Sequence, residues 1–474
     1  MGEVFKILIG GRWIETGHVS EIINPYTGKT FQKVCFAGKK EVQQAIGSAA
    51  KAFETTKKMP AHEVSSLLKR IVHGLIRNKE RLAETIVAEA GKPITLARQE
   101  VDRTITTFTI AAEEANRIDG ELLQPDIDPR GTGRYCIVKR FPVGVVAGIS
   151  PFNFPLNLVA HKVAPAIASR NTIVLKPSSK TPVTAIMLGV IMQDAGMIPG
   201  QYNVVPCSRE AGEILATDPR VAKVTFTGSP PVGWRLKEIC GRKRITLELG
   251  GNAAVVVMDD ADISWAVPRI VAGAYGYAGQ VCISVQRVLI HKKVYDKTVR
   301  ALIAEIKKSA KVGDPKRPDV MVGPMIDKAA LDKTAAWVKE AAGQGAKILT
   351  GGKKRGACYE PTLLSNVTRD MKVVCQEAFA PVAVVQPFNS FKQAMEMVND
   401  SDFGLQMGIF TSNLKNAFSA FEQAEVGGVI VNDFPTFRVD NMPYGGVKAS
   451  GFGREGVKYA MEEMTERKVM VVRG

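Results

Sequence analysis

The run Lys223-Val224-Thr225-Phe226-Thr227-Gly228-Ser229-Pro230-Pro231-Val232-Gly233 reads as an apolar strand, a tight glycine turn and a helix start with proline at its first positions. Free amides at such a helix start make a ready phosphate site. The run lacks the GxGxxG spacing, so alone it is a weak cofactor signal. Working outward, similar apolar β-rich runs occupy residues 144–148, 172–175, 202–205 and 245–249, with helical windows between them. Continuous apolar strands alternating with helices predict a buried parallel sheet covered on both faces. A second series follows at residues 253–257, 285–290, 382–385, 407–411 and 428–432, after the glycine-rich boundary Glu248-Leu249-Gly250-Gly251.

Before residue 135 the character differs. Short strands and turns come first, with Asn24-Pro25-Tyr26-Thr27-Gly28 a strong turn signal. Apolar residues at three- and four-residue spacing then predict helices over 39–58, 61–90 and 94–118, the second stopped by Gly91-Lys92-Pro93. Residues 119–134 are polar and rich in glycine and proline, which fits a mobile loop or a projecting hairpin.

Composition bounds the answer. A chain of 474 residues suggests about three structural units. It is 45% hydrophobic and 23% charged, values of a globular protein, which excludes a disordered, collagen-like or membrane-spanning chain. The net charge is +16, but the basic residues are spread along the chain and aromatics do not interleave with them. A solvated positive surface is expected, with no nucleic-acid or membrane partner. Seven widely spaced cysteines without a CxxC pair point to reduced thiols and a cytoplasmic location. No signal-peptide pattern opens the sequence, and no ligand spacing suggests a metal.

Several residues stand out for chemistry. Cys282, in Gly279-Gln280-Val281-Cys282, lies between a glycine hinge and a strand. It is either a small buried hydrophobe or a nucleophile that needs activation. Glu248 ends a strand, where a carboxylate is either salt-bridged, here to Arg244 or Lys243, or a desolvated general base. Asn153, in Pro151-Phe152-Asn153-Phe154-Pro155, either satisfies turn backbone or donates to a developing oxyanion. Lys176 ends another strand and reaches either a ribose or solvent.

Together these motifs resemble the aldehyde dehydrogenase superfamily, over nearly the whole chain from Asn24-Pro25 to Gly451-Phe452-Gly453-Arg454. Seven motifs carry the resemblance: residues 151–155, Leu175-Lys176-Pro177-Ser178, 226–229, 247–251, 279–282, Gln376-Glu377-Ala378-Phe379-Ala380-Pro381, and 443–451 from Pro443-Tyr444-Gly445-Gly446 onward. The resemblance implies a doubly wound Rossmann-like cofactor domain (residues 1–118 and 135–249), an α/β catalytic domain (250–440) and a small β oligomerisation element (119–134 and 455–474), in a homodimer or homotetramer. It implies Cys282 as nucleophile, Asn153 with the Cys282 amide as oxyanion donors, and Glu248 as the base that activates water to hydrolyse a thioester. NAD or NADP would lie along Ser150, Pro151, Lys176, Ser178, Ser179, Gly212, Phe226, Thr227, Gly228, Ser229, Trp234 and Leu249, with Glu377 on the nicotinamide ribose and Phe379 nearby.

One departure matters. Strictly NAD-dependent members often carry Glu where this chain has Ser179, and losing that carboxylate removes repulsion against a 2′-phosphate, so NADP should be accepted. The chain looks most similar to the branch of lactaldehyde, non-phosphorylating glyceraldehyde-3-phosphate and phosphonoacetaldehyde dehydrogenases, which implies a small anionic or hydroxylated aldehyde as substrate. Arg103, His161 and Arg438 are its candidate ligands, Arg287 a weaker one, since an arginine takes an oxyanion in bidentate fashion. Against these stand pairing of Arg103 with Glu100 or Gln99 on the helix surface, and a satisfied histidine at His161. The rivals are a CoA-acylating enzyme, against which Glu248 argues, and a catalytically silent binding protein on the same fold.

Overall fold

The computed structural model describes residues 4–474, so the first three residues of the expected cofactor domain lie outside it. An eight-stranded sheet has five parallel strands at its middle: Tyr202–Val204, Thr172–Lys176, Val145–Ile149, Val221–Thr227 and Arg244–Glu248, in that order across the sheet. Ile7–Ile9 with Arg12–Ile14 extends one edge and Gly451–Phe452 the other, all antiparallel. The strands are buried on both faces, as their continuous apolar sequence requires. Val145, Ala147 and Ile149 enter one core and Val146 the other, the two-residue alternation of a strand. Chain order reverses between Val145–Ile149 and Val221–Thr227, which opens a crevice beyond the carboxyl ends of these strands.

A seven-stranded sheet carries the second series, in the order Lys347–Thr350, Thr362–Ser365, Val382–Phe388, Val285–His291, Ala253–Val257, Gln406–Phe410 and Gly428–Val431. All pairs are parallel except the first. The first sheet's strand ends at Glu248 and the second sheet's begins at Ala253. The carboxyl ends of one sheet therefore face the amino ends of the other. Gly251 permits the closest approach, since a Cβ there would stand 2.1 Å from the carbonyl oxygen of Cys282.

The helices form where periodicity predicts them, with one difference. The expected helix over 61–90 is two, Ala61–Arg77 and Lys79–Ala90. Asn78 breaks it by turning its side-chain amide back onto the carbonyl of Gly74 at 2.9 Å. Gly91 then closes the second helix in the left-handed region, φ 65°.

Residues 119–134 form a hairpin arm rather than an irregular loop. Glu121–Leu123 pairs with Arg134–Pro142, which pairs in turn with Thr465–Arg473 in a separate three-stranded antiparallel sheet. Two of the expected domain limits differ from this arrangement. Arg134–Pro142 belongs to the small sheet, because its ladder partner is the C-terminal strand, and the large sheet resumes only at Val145. The helix Val457–Glu463 packs on the helices Asn157–Ala168 and Ile94–Glu114, so within 455–474 only the last strand joins the small sheet.

Candidate functional site

The crevice between the two sheets encloses about 530 Å³. Ser150, Pro151 and Asn153 line it just beyond one strand, Lys176, Ser178 and Ser179 beyond the next. Phe226, Thr227, Gly228 and Ser229 line it across the reversal of chain order, together with Gly212 and Leu249. Cys282, Glu377 and Phe379 come from the amino ends of the second sheet. Trp234 is the one residue of the expected cofactor set that does not line it; its ring lies 5.1 Å from Lys237 Nζ.

The crevice has the features that a dinucleotide needs. The helix Pro230–Ile239 begins at its wall; Pro230 and Pro231 carry no N–H, so the amides left free of intrahelical partners there are those of Ser229 and Val232. The buried Ser150 Oγ has no hydrogen-bond partner. A Cβ at Gly212 would press on the Lys176 side chain at 2.7 Å, and one at Gly250 on the Glu377 carboxylate at 2.6 Å. Glu377 accepts a hydrogen bond from the Gly251 amide at 2.8 Å. Burial nevertheless raises its pKa to about 7.

The loop before Cys282 is strained. Tyr277, Ala278 and Gly279 all lie at positive φ, 52°, 54° and 64°, and the first two carry a side chain that this region disfavours. Tyr277 is fixed by its hydroxyl on the Ala90 carbonyl. Lys92 binds this loop to the one holding Asn153: its ammonium sits 3.5 Å from the Phe154 ring and 4.7 Å from the Tyr277 ring. Lys92 pairs with buried Glu100, which also accepts from the amides of Leu156 and Asn157 at 2.9 and 3.1 Å. Asn153 Nδ2 gives one hydrogen to the Gln280 carbonyl at 2.9 Å and keeps the other.

Glu248 is buried, and neither carboxylate oxygen has a partner. The pairing with Arg244 or Lys243 does not form: Arg244 turns to Glu466, and Lys243 to the Thr217 carbonyl. Burial first, then the neighbouring Glu455, pushes the Glu248 pKa well above the carboxylate range. Burial raises the Cys282 thiol to about 12, against the opposing hydrogen bond from Tyr444, and Glu377 and Glu248 add to the rise.

Beside these groups lies a buried charge cluster. Arg103 holds Asp440 through two contacts, 2.7 and 3.3 Å. His161 Nε2 lies 2.8 Å from the same carboxylate, and Arg438 reaches both His161 Nε2 (3.3 Å) and Glu455 (3.2 Å). Lys162 pairs with Glu455 at 2.9 Å. Burial opposes ionisation of Glu455, yet Lys162 and Arg438 hold its pKa below the usual range. Burial, and then Arg438, lowers the His161 pKa. Arg103 and His161 are thus paired with Asp440, not with Glu100 or Gln99, Arg438 is paired with Glu455, and none of the three lines the crevice. Arg287 is consumed by the carbonyls of Asn252, Met397 and Val398 and has a structural task.

Sequence reading did not single out Tyr444, Asp440, Glu455, Lys162 or Arg209 as functional. Tyr444 Oη lies 3.1 Å from Cys282 Sγ, 162 residues away in sequence. Arg209 lines the crevice near Lys176 and Ser179. A charged residue at a strand-to-helix junction was the available signal for Arg209; for the others the signal is tertiary. Among the described residues no cluster of His, Cys, Asp or Glu could hold a metal ion, and no helix is long and apolar enough to cross a membrane.

Comparison with known proteins agrees with this geometry. The model of the aldehyde dehydrogenase family matches residues 13–470. The 3-sulfolactaldehyde dehydrogenase of Priestia aryabhattai is 42% identical over 469 residues, 99% of this chain and 98% of that protein. The crystal structure of aldehyde dehydrogenase 21 from Physcomitrella patens, in complex with the reaction product succinate, superposes with a TM-score of 0.98 at 43% identity, covering 100% of this chain and 99% of that one. That of the glyceraldehyde-3-phosphate dehydrogenase GapN from Methanocaldococcus jannaschii, complexed with NADP, gives 0.93 at 38% identity, covering 97% and 100%. With its parallel sheets, its crevice at the reversal of chain order and these matches, the chain belongs to the aldehyde dehydrogenase family and is an NAD(P)-dependent oxidoreductase acting on aldehydes.

Proposed function

We propose that this chain oxidises a small anionic or hydroxylated aldehyde to its carboxylic acid through a thioester on Cys282, with NADP accepted as well as NAD. The observation that carries the reading is the meeting, in one crevice, of Cys282, Asn153 and the dinucleotide wall. Cys282 gives up its proton to solvent, and its thiolate Sγ attacks the aldehyde carbon. The free Nδ2 hydrogen of Asn153, with the Cys282 amide, holds the oxyanion that forms. A nicotinamide held in this crevice would supply the hydride acceptor needed for oxidation of the adduct to a thioester. Glu248 then takes a proton from water, which attacks the thioester and releases the acid. The raised Glu248 pKa suits a group that must accept that proton.

Lys176, Ser178 and Ser179 would meet the adenosine ribose, and Ser150, Pro151, Gly212, Leu249 and residues 226–229 the rest of the dinucleotide. Glu377 would hold the nicotinamide ribose, with Phe379 packed near it, its ring 5.8 Å from that of Phe152. Trp234 would act on this wall only indirectly. No carboxylate stands at 179, and Arg209 adds a guanidinium to the same end of the crevice. Arginine matches phosphate geometry, which favours a cofactor with a 2′-phosphate.

The charge cluster supports an anionic substrate. Lys162, Arg103 and Arg438 face the carboxylates of Asp440 and Glu455, three basic side chains against two acidic ones, and burial raises the pKa of Glu248 beside them. Arg103, whose side chain is 30% exposed, is its open end. The names of the relatives, 3-sulfolactaldehyde dehydrogenase and a structure with succinate, are of the same chemical kind.

The reading extends to assembly and location. In the small sheet Leu122, Ile137 and Met470 lie directly opposite one another and are 67%, 40% and 55% exposed. An apolar face on a sheet with free edges suits burial against a second copy. All seven cysteines are free thiols, which fits the cytoplasm.

Four outcomes test these points. Light scattering should give a dimer or tetramer, and Met470→Asp a smaller species; an unchanged mass would remove the small sheet from the interface. Glu248→Gln should release reduced cofactor in one burst and then turn over about 10²–10⁴-fold slower. In the unaltered enzyme the hydrolytic step should quicken as pH rises, because burial raises the Glu248 pKa and so moves formation of the ionised base to higher pH; the variant should lose that slope. Arg103→Ala should raise KM about tenfold or more for an anionic aldehyde and leave that for propanal unchanged, whereas equal effects on both would take Arg103 out of the site.

A further inference from the structure

Tyr444 is 3% exposed, and a buried phenol needs a partner for its hydroxyl. The hydroxyls of Tyr202, Tyr275 and Tyr277, equally buried, each donate to a backbone carbonyl. That of Tyr444 instead stands 3.1 Å from Cys282 Sγ. On the face of its ring lies the Arg438 guanidinium, 3.7 Å from the centroid, itself fixed by Glu455. We propose that Tyr444, backed by Arg438, is a further catalytic residue: its hydroxyl donates a hydrogen bond to the Cys282 thiolate and so makes the nucleophile available inside a crevice that would otherwise keep it protonated.

The direction of the hydrogen bond follows from the chemistry. A thiol and a phenol can each donate to the other, but a thiolate has no proton, so once Cys282 ionises only Tyr444 can donate. Burial, and then Cys282 itself, holds the Tyr444 pKa well above its ordinary value, so the phenol keeps its proton. A cation on the ring face draws electron density from the oxygen and strengthens the O–H as a donor. The other groups facing Cys282 act oppositely: Glu377 and Glu248 both disfavour a second negative charge there, and only Arg438 and Tyr444 favour it. A phenylalanine at 444 would fill the same space and offer nothing to the sulfur.

This inference rests on the reading of Cys282 as nucleophile, and the test separates the two. The rate of Cys282 alkylation by iodoacetamide, followed by peptide mass spectrometry from pH 6 to 10, rises with the thiolate fraction; in Tyr444→Phe this rising limb, and with it the midpoint, should be displaced upward by about one to two pH units, so that alkylation is tenfold or more slower at pH 7. KM for the aldehyde should change by less than about threefold, and kcat should fall with the thiolate fraction. Replacing Tyr444 by the more acidic 3-fluorotyrosine should move the midpoint down. A merely structural tyrosine would lower thermal stability or raise KM without moving either midpoint, and that result overturns the proposal. Persistence of turnover in Cys282→Ser would instead remove the nucleophile reading itself.

Discussion

The four residues between Glu248 and Ala253 are the constraint on which the site depends. They are too few to let the chain wander, so the carboxyl edge of one parallel sheet must abut the amino edge of the other. The abutment needs a residue without a side chain at 251, where the backbone passes beside the Cys282 carbonyl. From it follow the crevice, the entry of Cys282 and Glu377 into that crevice from the amino ends of adjacent strands, and the closeness of Glu248 to the thiol. Lys92 and Glu100 then bind together the two loops that carry Asn153 and Cys282, through one ammonium shared by two aromatic faces and one carboxylate shared by two amides.

Electrostatics at the site are set by burial more than by any single charge. Glu248 without a partner, Cys282 at about 12 and Glu377 at about 7 are all groups whose charged forms lack water. Burial disfavours the charged form of each, while the proposed chemistry needs Cys282 as thiolate and Glu248 as base. The cluster of Arg438, Lys162, Glu455, His161, Asp440 and Arg103 connects the thiol, through Tyr444, to the partly exposed Arg103. Its internal pairs neutralise most of it, which is why a small residual positive charge rather than a bare arginine is what the substrate would meet.

Much of this was legible in the sequence, and the reasons are physical. The parallel strands showed as apolar runs because they are buried on both faces, and Gly228-Ser229-Pro230-Pro231 marked a turn into a helix because proline suits the first helical turn. Cys282, Glu248 and Asn153 stood out as candidates because each breaks the local pattern (a thiol after a glycine hinge, a carboxylate in an apolar strand, an amide between prolines), while the role of each was implied only by the family resemblance. The break at Asn78 was missed because the apolar spacing runs through it undisturbed. Strand Arg134–Pro142 was given to the wrong sheet because strand sequence does not name its partner, which here lies more than 300 residues away. Tyr444 and Asp440 were invisible as functional residues for the same reason, since their roles depend on neighbours far off in sequence.

The central claim is that Cys282 in this crevice oxidises an anionic aldehyde with NAD or NADP. It is tested most directly by following reduced-cofactor formation from the purified protein with each nucleotide, on lactaldehyde, glyceraldehyde 3-phosphate, phosphonoacetaldehyde and propanal, beside Cys282→Ser. The account predicts turnover with NADP as well as NAD, faster on a charged aldehyde than on propanal and abolished in the serine variant. Turnover that survives in Cys282→Ser, or none with any of the four aldehydes, would contradict it.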